Sequence, residues 1–207
     1  MFKKAGKKLD ERTIDLVENE GSSSFEILSD LDTWKQFKEG NESAFIHIYE
    51  TYFDPLYNYG LQFSKDTSLV EDCIQDLFIE IRKTRKRLAD TTSIKLYLFK
   101  SIKRKILQHI KYRRSKFSTQ PVDEGYNFYF TFSHEHNLID RQLNQEQLER
   151  LNRAIDLLPA RQREVIYYLF YEQLSYTEIK EIMGFSNVKS VRNKVYIALQ
   201  ALRKSYQ

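Results

Sequence analysis

The strongest constraint on this chain is a spacing. Leu98, Ile102, Ile106 and Ile110 recur every fourth residue, and Val188, Val191, Val195, Ala198, Leu199 and Leu202 recur at three and four. Side chains three and four apart share one face of an α-helix, so each run lays an apolar stripe that must be buried. The same spacing governs Leu31, Trp34 and Phe37; Phe45, Ile48, Tyr49 and Tyr52; Leu56, Tyr59 and Phe63; and Val70, Cys73, Ile74, Leu77 and Ile81. Only six glycines and three prolines interrupt 207 residues. An almost wholly α-helical chain, long enough for one or two domains, is expected.

Charge narrows the function. The net charge is only +4, but between Arg82 and Lys116 there are fourteen Lys or Arg against one acid, Asp90. Such asymmetry points to nucleic acid or another polyanion. Cys73 is the only cysteine, so neither an intramolecular disulfide nor a cysteine-based zinc site is expected. No run approaches the roughly 20 apolar residues of a membrane span. Met1-Phe2-Lys3-Lys4 is basic but no apolar region follows it, which argues against a secretory signal and for a cytoplasmic protein. There is no phosphate-cradling glycine loop and no catalytic triad, so neither an enzyme nor a cofactor is expected.

Taken in order, residues 1–24 read as a mobile tail with a short helix from Asp10 to Glu18. Residues 25–115 form a first helical domain. Within it Gly40 stops one helix, Asn41 or Ser43 caps the next, and Asp54-Pro55 breaks or kinks it. Ser68-Leu69-Val70-Glu71 reads as a capping box. Its helix buries the Val70 stripe and turns Asp72, Gln75, Asp76 and Ile79 outward. An isoleucine ringed by acids and an amide suits a partner-binding face. The basic helix, from about Ser93 to Arg114, turns Tyr97, Lys100, Lys103, Arg104, Gln108, Lys111 and Arg114 away from its core stripe. Cations interleaved with an aromatic suit single-stranded DNA. Residues 116–140 lose the periodicity and read as a flexible linker, with an aromatic patch from Tyr126 to Phe132. His134-Glu135-His136 lies there without further ligands nearby, and no metal site is expected. Residues 141–207 form a second helical domain, in which Pro159 opens a helix reaching Tyr171.

That domain ends in a helix-turn-helix. A short helix starts near Thr177, whose hydroxyl serves as the cap, and Gly184 supplies the break before the final helix. The face opposite the Val188 stripe carries Lys189, Ser190, Arg192, Asn193 and Tyr196, side chains able to reach phosphates and base edges. The final helix is therefore expected to enter a major groove.

The order of these features resembles the bacterial RNA polymerase sigma factors of the extracytoplasmic-function (ECF) group. Trp34 through Phe45, Glu71-Asp72-Cys73-Ile74-Gln75-Asp76-Leu77-Phe78-Ile79, and Tyr97-Leu98-Phe99 resemble the front half of that family. Leu158-Pro159, Arg161-Gln162-Arg163-Glu164-Val165 and Ser175-Tyr176-Thr177-Glu178-Ile179 resemble its rear half. The resemblance implies two helical domains and a dissociable promoter-specificity subunit. Asp72, Gln75, Asp76 and Ile79 would dock on the clamp coiled coil of core RNA polymerase. The basic helix would melt and hold the minus-ten element. Thr177, Lys189, Ser190, Arg192, Asn193 and Tyr196 would read the minus-thirty-five element. Core polymerase and promoter DNA are the implied partners, an anti-sigma protein is a further one, and neither membrane insertion nor a small-molecule substrate is implied. The alternative reading is a helix-turn-helix activator that is not a polymerase subunit. Two departures stand out: Arg104 replaces an asparagine frequent in the family, and Gln173 replaces a glycine.

Overall fold

In the computed structural model, residues 29–117, 126–130 and 145–206 are described. The expected tail and its short helix, and His134-Glu135-His136, lie outside them. Among the described residues the regular structure is entirely helical. Helix α1 spans Asp30–Glu39, α2 Glu42–Gly60, α3 Thr67–Thr84 and α4 Ile94–Phe117. After residues 126–130, which are extended, come α5 Gln145–Asp156, α6 Ala160–Ile166, α7 Tyr176–Met183 and α8 Val188–Tyr206. None of these helices is long and apolar enough to cross a membrane.

The front core forms where α2, α3 and α4 meet. Ile48, Leu56, Tyr59, Val70, Ile74, Leu98, Ile102 and Ile106 are all fully buried there. α1 closes one end: Trp34 is buried and its indole N–H donates to the Ala89 carbonyl at 2.9 Å. Gly40 ends α1 at φ +101, a left-handed position that glycine takes without strain. Gly60 has another role. A Cβ there would lie 2.5 Å from Val70 Cγ1 and 3.1 Å from Ile106 Cδ1, so the missing side chain lets three helices touch.

At one helix end the structure decides between two expected caps, and at several others it differs from expectation. Asn41, not Ser43, caps α2, accepting from the Ala44 amide. Pro55 sits inside α2 without ending it, because Ile48, Leu56 and Tyr59 are anchored in the core on both sides. Asp66 rather than Ser68 caps α3, accepting from the Leu69 amide at 3.1 Å, and it also pairs with Arg113 at 2.6 Å. Ser175 rather than Thr177 caps α7, in a reciprocal capping box with Glu178. The expected helix from Pro159 to Tyr171 is α-helical only to Ile166 and continues as a π-helical turn over Tyr167–Tyr171. In α8, Val191, Val195 and Ala198 are buried, whereas Leu199 is exposed. It stands about 100° around the helix from Ala198, off the stripe.

The segment read as a flexible linker holds the largest difference. Phe128 and Phe130 are buried, and the Tyr129 amide donates to the Gln62 carbonyl at 2.6 Å. The Phe128 ring lies 5.2 Å from Phe63 and 5.3 Å from Tyr167, and Phe130 lies 5.0 Å from Tyr167. Aromatic rings at such distances and steep angles favour one another beyond the area they bury. The front and rear halves thus share one continuous core.

Candidate functional site

Three surfaces carry the residues singled out by pattern. On α3 the stripe Val70, Cys73, Ile74, Leu77 and Ile81 is buried, and Asp72, Gln75 and Asp76 are exposed on the other side. Ile79 among them is 51% exposed. Burial also pushes the Cys73 thiol up to about 11, leaving it protonated and inert. A part of this surface was not anticipated from sequence. Ile46 and Tyr49 of α2 are exposed beside Ile79, and with Phe45, Phe78 and Gln75 they line an apolar groove between α2 and α3. Tyr49 was expected in the core stripe. The sequence signal was available in Ile46 and Tyr49 themselves, three apart and hence neighbours on one helix face. Arg82 lies over the Phe45 ring at 5.1 Å and pairs with Glu42 at 2.5 Å, closing one end of the groove.

The second surface is α4. Lys100, Arg104, Gln108 and Lys111 are exposed, and with Lys103, Leu107 and Ile182 they line one open cleft. Tyr97 is half-buried against Trp34, with ring centroids 4.9 Å apart, and burial raises its hydroxyl above the ordinary tyrosine value. The side chain of Arg114 lies outside the described residues. Lys103 does not face open solvent as expected. Its side chain is 13% exposed and pairs with Glu164, which is completely buried. Two lysines nearer the start of α4 are also engaged: Lys95 with Glu172 at 2.7 Å and Lys100 with Glu181 at 3.8 Å. Glu164 additionally accepts from the hydroxyls of Tyr168, at 2.7 Å, and Tyr126. Burial and the Glu164 charge raise both tyrosines well above their ordinary range, so they remain donors. Sequence periodicity along α4 gave no sign of this arrangement, since Glu164 lies 61 residues away in the chain.

The third surface is the helix-turn-helix. Gly184 adopts φ +68 at the end of α7, and its amide bonds back to the Glu181 carbonyl. Lys189, Arg192, Asn193 and Tyr196 are exposed along α8, as is Thr177 on α7. Arg192 rests 5.6 Å from the centre of the Tyr176 ring. Ser190 is half-buried and tied to the preceding turn: Asn187 Oδ1 accepts from its amide at 2.8 Å and from its hydroxyl at 3.1 Å. Asn187 therefore organises the entry to α8, a role its polar amide in the preceding turn suits.

A helical front unit, a basic helix and a terminal helix-turn-helix thus follow one another along the chain. Residues 48–116 match the family model for Sigma-70 region 2, and residues 148–202 match that for Sigma-70 region 4. The chain belongs to the sigma-70 family, and within it to the ECF RNA polymerase sigma factors. Two curated relatives carry that finer assignment. The chain is 25% identical over 158 residues to ECF RNA polymerase sigma factor SigM of Bacillus subtilis (strain 168), covering 75% of this chain and 92% of the relative. It is 24% identical over 168 residues to SigX of the same organism, covering 79% and 84%. Among solved structures, the fold is similar to CnrH in complex with the cytosolic domain of CnrY. That match has a TM-score of 0.56 and 19% identity, and covers 84% of this chain and 95% of that one. The fold is also similar to the sigma factor RpoE in complex with the anti-sigma factor NepR from Bartonella quintana. Here the TM-score is 0.54 and the identity 18%, over 78% of this chain and 95% of that one.

Proposed function

We propose that this sigma factor divides its work among the three surfaces. Residues 25–115 dock on core polymerase and open the promoter, residues 141–207 hold the upstream element, and residues 116–140 connect them, with 1–24 as a tail. Asp72, Gln75, Asp76 and Ile79, joined by Ile46 and Tyr49, bind the polymerase clamp. Tyr97, Lys100, Lys103, Arg104, Gln108, Lys111 and Arg114 hold the non-template strand at the minus-ten element. Thr177, Lys189, Ser190, Arg192, Asn193 and Tyr196 serve the minus-thirty-five duplex. Ser190, tied into the Asn187 cap, contributes chiefly by positioning the start of α8.

The observation that carries this reading is the exposed apolar groove flanked by acids on the α2–α3 face. A helix-turn-helix activator has no need of it. Melting then follows from capture of unstacked bases, whose extrusion costs a few kcal/mol, and the protein works by binding without a catalytic centre. A cytoplasmic location follows from work on chromosomal promoters. An anti-sigma protein is a further partner in this reading, supported by RpoE, whose fold this chain shares and which was solved with one.

The test is the double variant Asp72→Arg with Asp76→Arg. Both positions are exposed, so circular dichroism and melting stay within about 0.5 kcal/mol of wild type. Reversal at a desolvated interface leaves charges unpaired, at about 2–5 kcal/mol. Core polymerase is therefore lost in a pulldown, and promoter-specific transcription with it. Normal folding together with wild-type polymerase affinity would refute the clamp assignment.

A further inference from the structure

Helix α1 touches the connector between α3 and α4 at several points along its length. The connector opens with a 3-10 turn, Arg85–Arg87, and residues 88–93 form no regular structure before α4 begins. Asp30, Trp34 and Lys38 stand four apart and so share one face of α1. Asp30 Oδ2 accepts from the Ile94 amide at 2.8 Å, one of the free N–H groups at the start of α4. The first turn of α4 contains no acid of its own. From across the fold, α1 supplies the carboxylate that the positive end of a helix favours. The buried Trp34 indole donates to the Ala89 carbonyl at 2.9 Å, and its ring lies 4.9 Å from that of Tyr97. Lys38 pairs with Asp90 at 2.5 Å. Beyond it, a Cβ on Gly40 would stand 3.3 Å from Nη2 of Arg85, so that guanidinium lies over the end of α1. Ala89, Asp90 and Thr91 of the connector line one cleft with Tyr97, Lys100 and Arg104 of α4.

We propose that Asp30, Trp34 and Lys38 are positioning residues for promoter opening: α1 holds the connector and the first turn of α4 in the arrangement that presents Tyr97, Lys100 and Arg104 to the single strand. The proposal rests on the assignment of α4 to that strand. A segment without regular structure loses conformational freedom when it must be ordered to bind. Tethered to α1 at Ala89, Asp90 and Ile94, this one is ordered beforehand, so less is lost when DNA arrives. Trp34 fills the inner side of Tyr97 and fixes the ring from which a base is met. The tether at Lys38 fixes a place more than it stabilises. Lys38 and Asp90 are 22% and 58% exposed, and an ion pair so placed adds little to stability. Asp90 is also the one acid between Arg82 and Lys116, so Lys38 offsets the charge that would repel a phosphate backbone.

The test uses full-length chains assembled with core polymerase on a promoter that the wild-type holoenzyme opens. Permanganate reactivity of thymines reports melting, and a pulldown reports polymerase affinity, both at a temperature where circular dichroism shows every variant folded. Asp30→Ala and Lys38→Ala are each expected to lower the open fraction roughly fivefold, the equilibrium ratio to which loss of one helix cap amounts, with polymerase affinity unchanged. Asp30→Asn keeps an acceptor for the Ile94 amide and should restore opening. Asp90→Ala should lower opening as well, because the tether is lost. By charge alone, removing an acid beside DNA would strengthen binding, so a gain in Asp90→Ala overturns the tether. Wild-type opening by folded Asp30→Ala and Lys38→Ala overturns the proposal, as does an equal loss of polymerase binding, which would make α1 a support of the fold alone. Should Asp30→Ala fail to fold, the Lys38 and Asp90 variants decide. Arg104→Ala with Lys111→Ala separates the underlying claim. If that variant opens the promoter normally, the assignment of α4 falls and the proposal with it. If it alone loses opening, α4 stands and only the role of α1 is refuted.

Discussion

Gly60 and Gln173 show how single residues tune this fold in opposite directions. Gly60 is where α2 approaches α3 and α4 too closely for a side chain. Gly60→Ala should destabilise the chain by about 1–3 kcal/mol, the usual cost of overpacking, measured by urea denaturation. Gln173 stands at φ 56, in the left-handed region, between the π-helical turn and the cap of α7. A non-glycine residue there costs about 1–2 kcal/mol, while glycine costs about 0.5–1 kcal/mol in unfolded-state entropy. Gln173→Gly should therefore stabilise by about 0.5–1 kcal/mol in the same assay. The glycine usual in the family at this position has its physical reason in that dihedral angle.

At the scale of elements, α3 and α8 are each divided by one periodicity into a buried stripe and a working face. The exposed positions of α8 are not equivalent. Asn193 is exposed and polar, whereas Arg192 is already braced over Tyr176. In duplex-binding titrations Asn193→Ala and Arg192→Ala should each cost about 1–3 kcal/mol on the preferred sequence and relax discrimination. Equal losses on all sequences would move these residues to phosphate contact. Ser175→Ala, which removes the α7 cap, should cost about 1 kcal/mol of stability. Thermal melting checks it, and Thr177→Ala serves as the neutral control because that hydroxyl does not cap the helix.

For the whole molecule, the pair of Lys103 with Glu164 gives an unusual expectation. In a rigid body, removing one partner of a buried ion pair costs about 3–5 kcal/mol. Here the pair joins the two halves, so its loss can also be relieved by their parting, which would return Glu164 to water. Lys103→Ala should therefore enlarge the radius of gyration while the helical content and the melting of the front core stay near wild type. A large drop in melting temperature at unchanged size would mean that the halves unfold together rather than separate.

What the sequence determined by itself was whatever depends on neighbours three and four residues apart. The all-helical architecture, the buried stripes of α3 and α4, the outward placement of Asp72, Gln75, Asp76 and Ile79, and the breaks at Gly40 and Gly184 all follow from local spacing. Cap choice was less legible, since Asp66 and Ser68, or Ser175 and Thr177, offer similar oxygens a residue or two apart. The tertiary structure alone decided that Phe128 and Phe130 are core rather than linker, and that Ile46 and Tyr49 join Ile79. It alone turned Lys103 toward Glu164, 61 residues away. Contacts at such separation depend on how two halves dock, through burial of aromatic surface and compensation of a buried charge, and no local period encodes that choice.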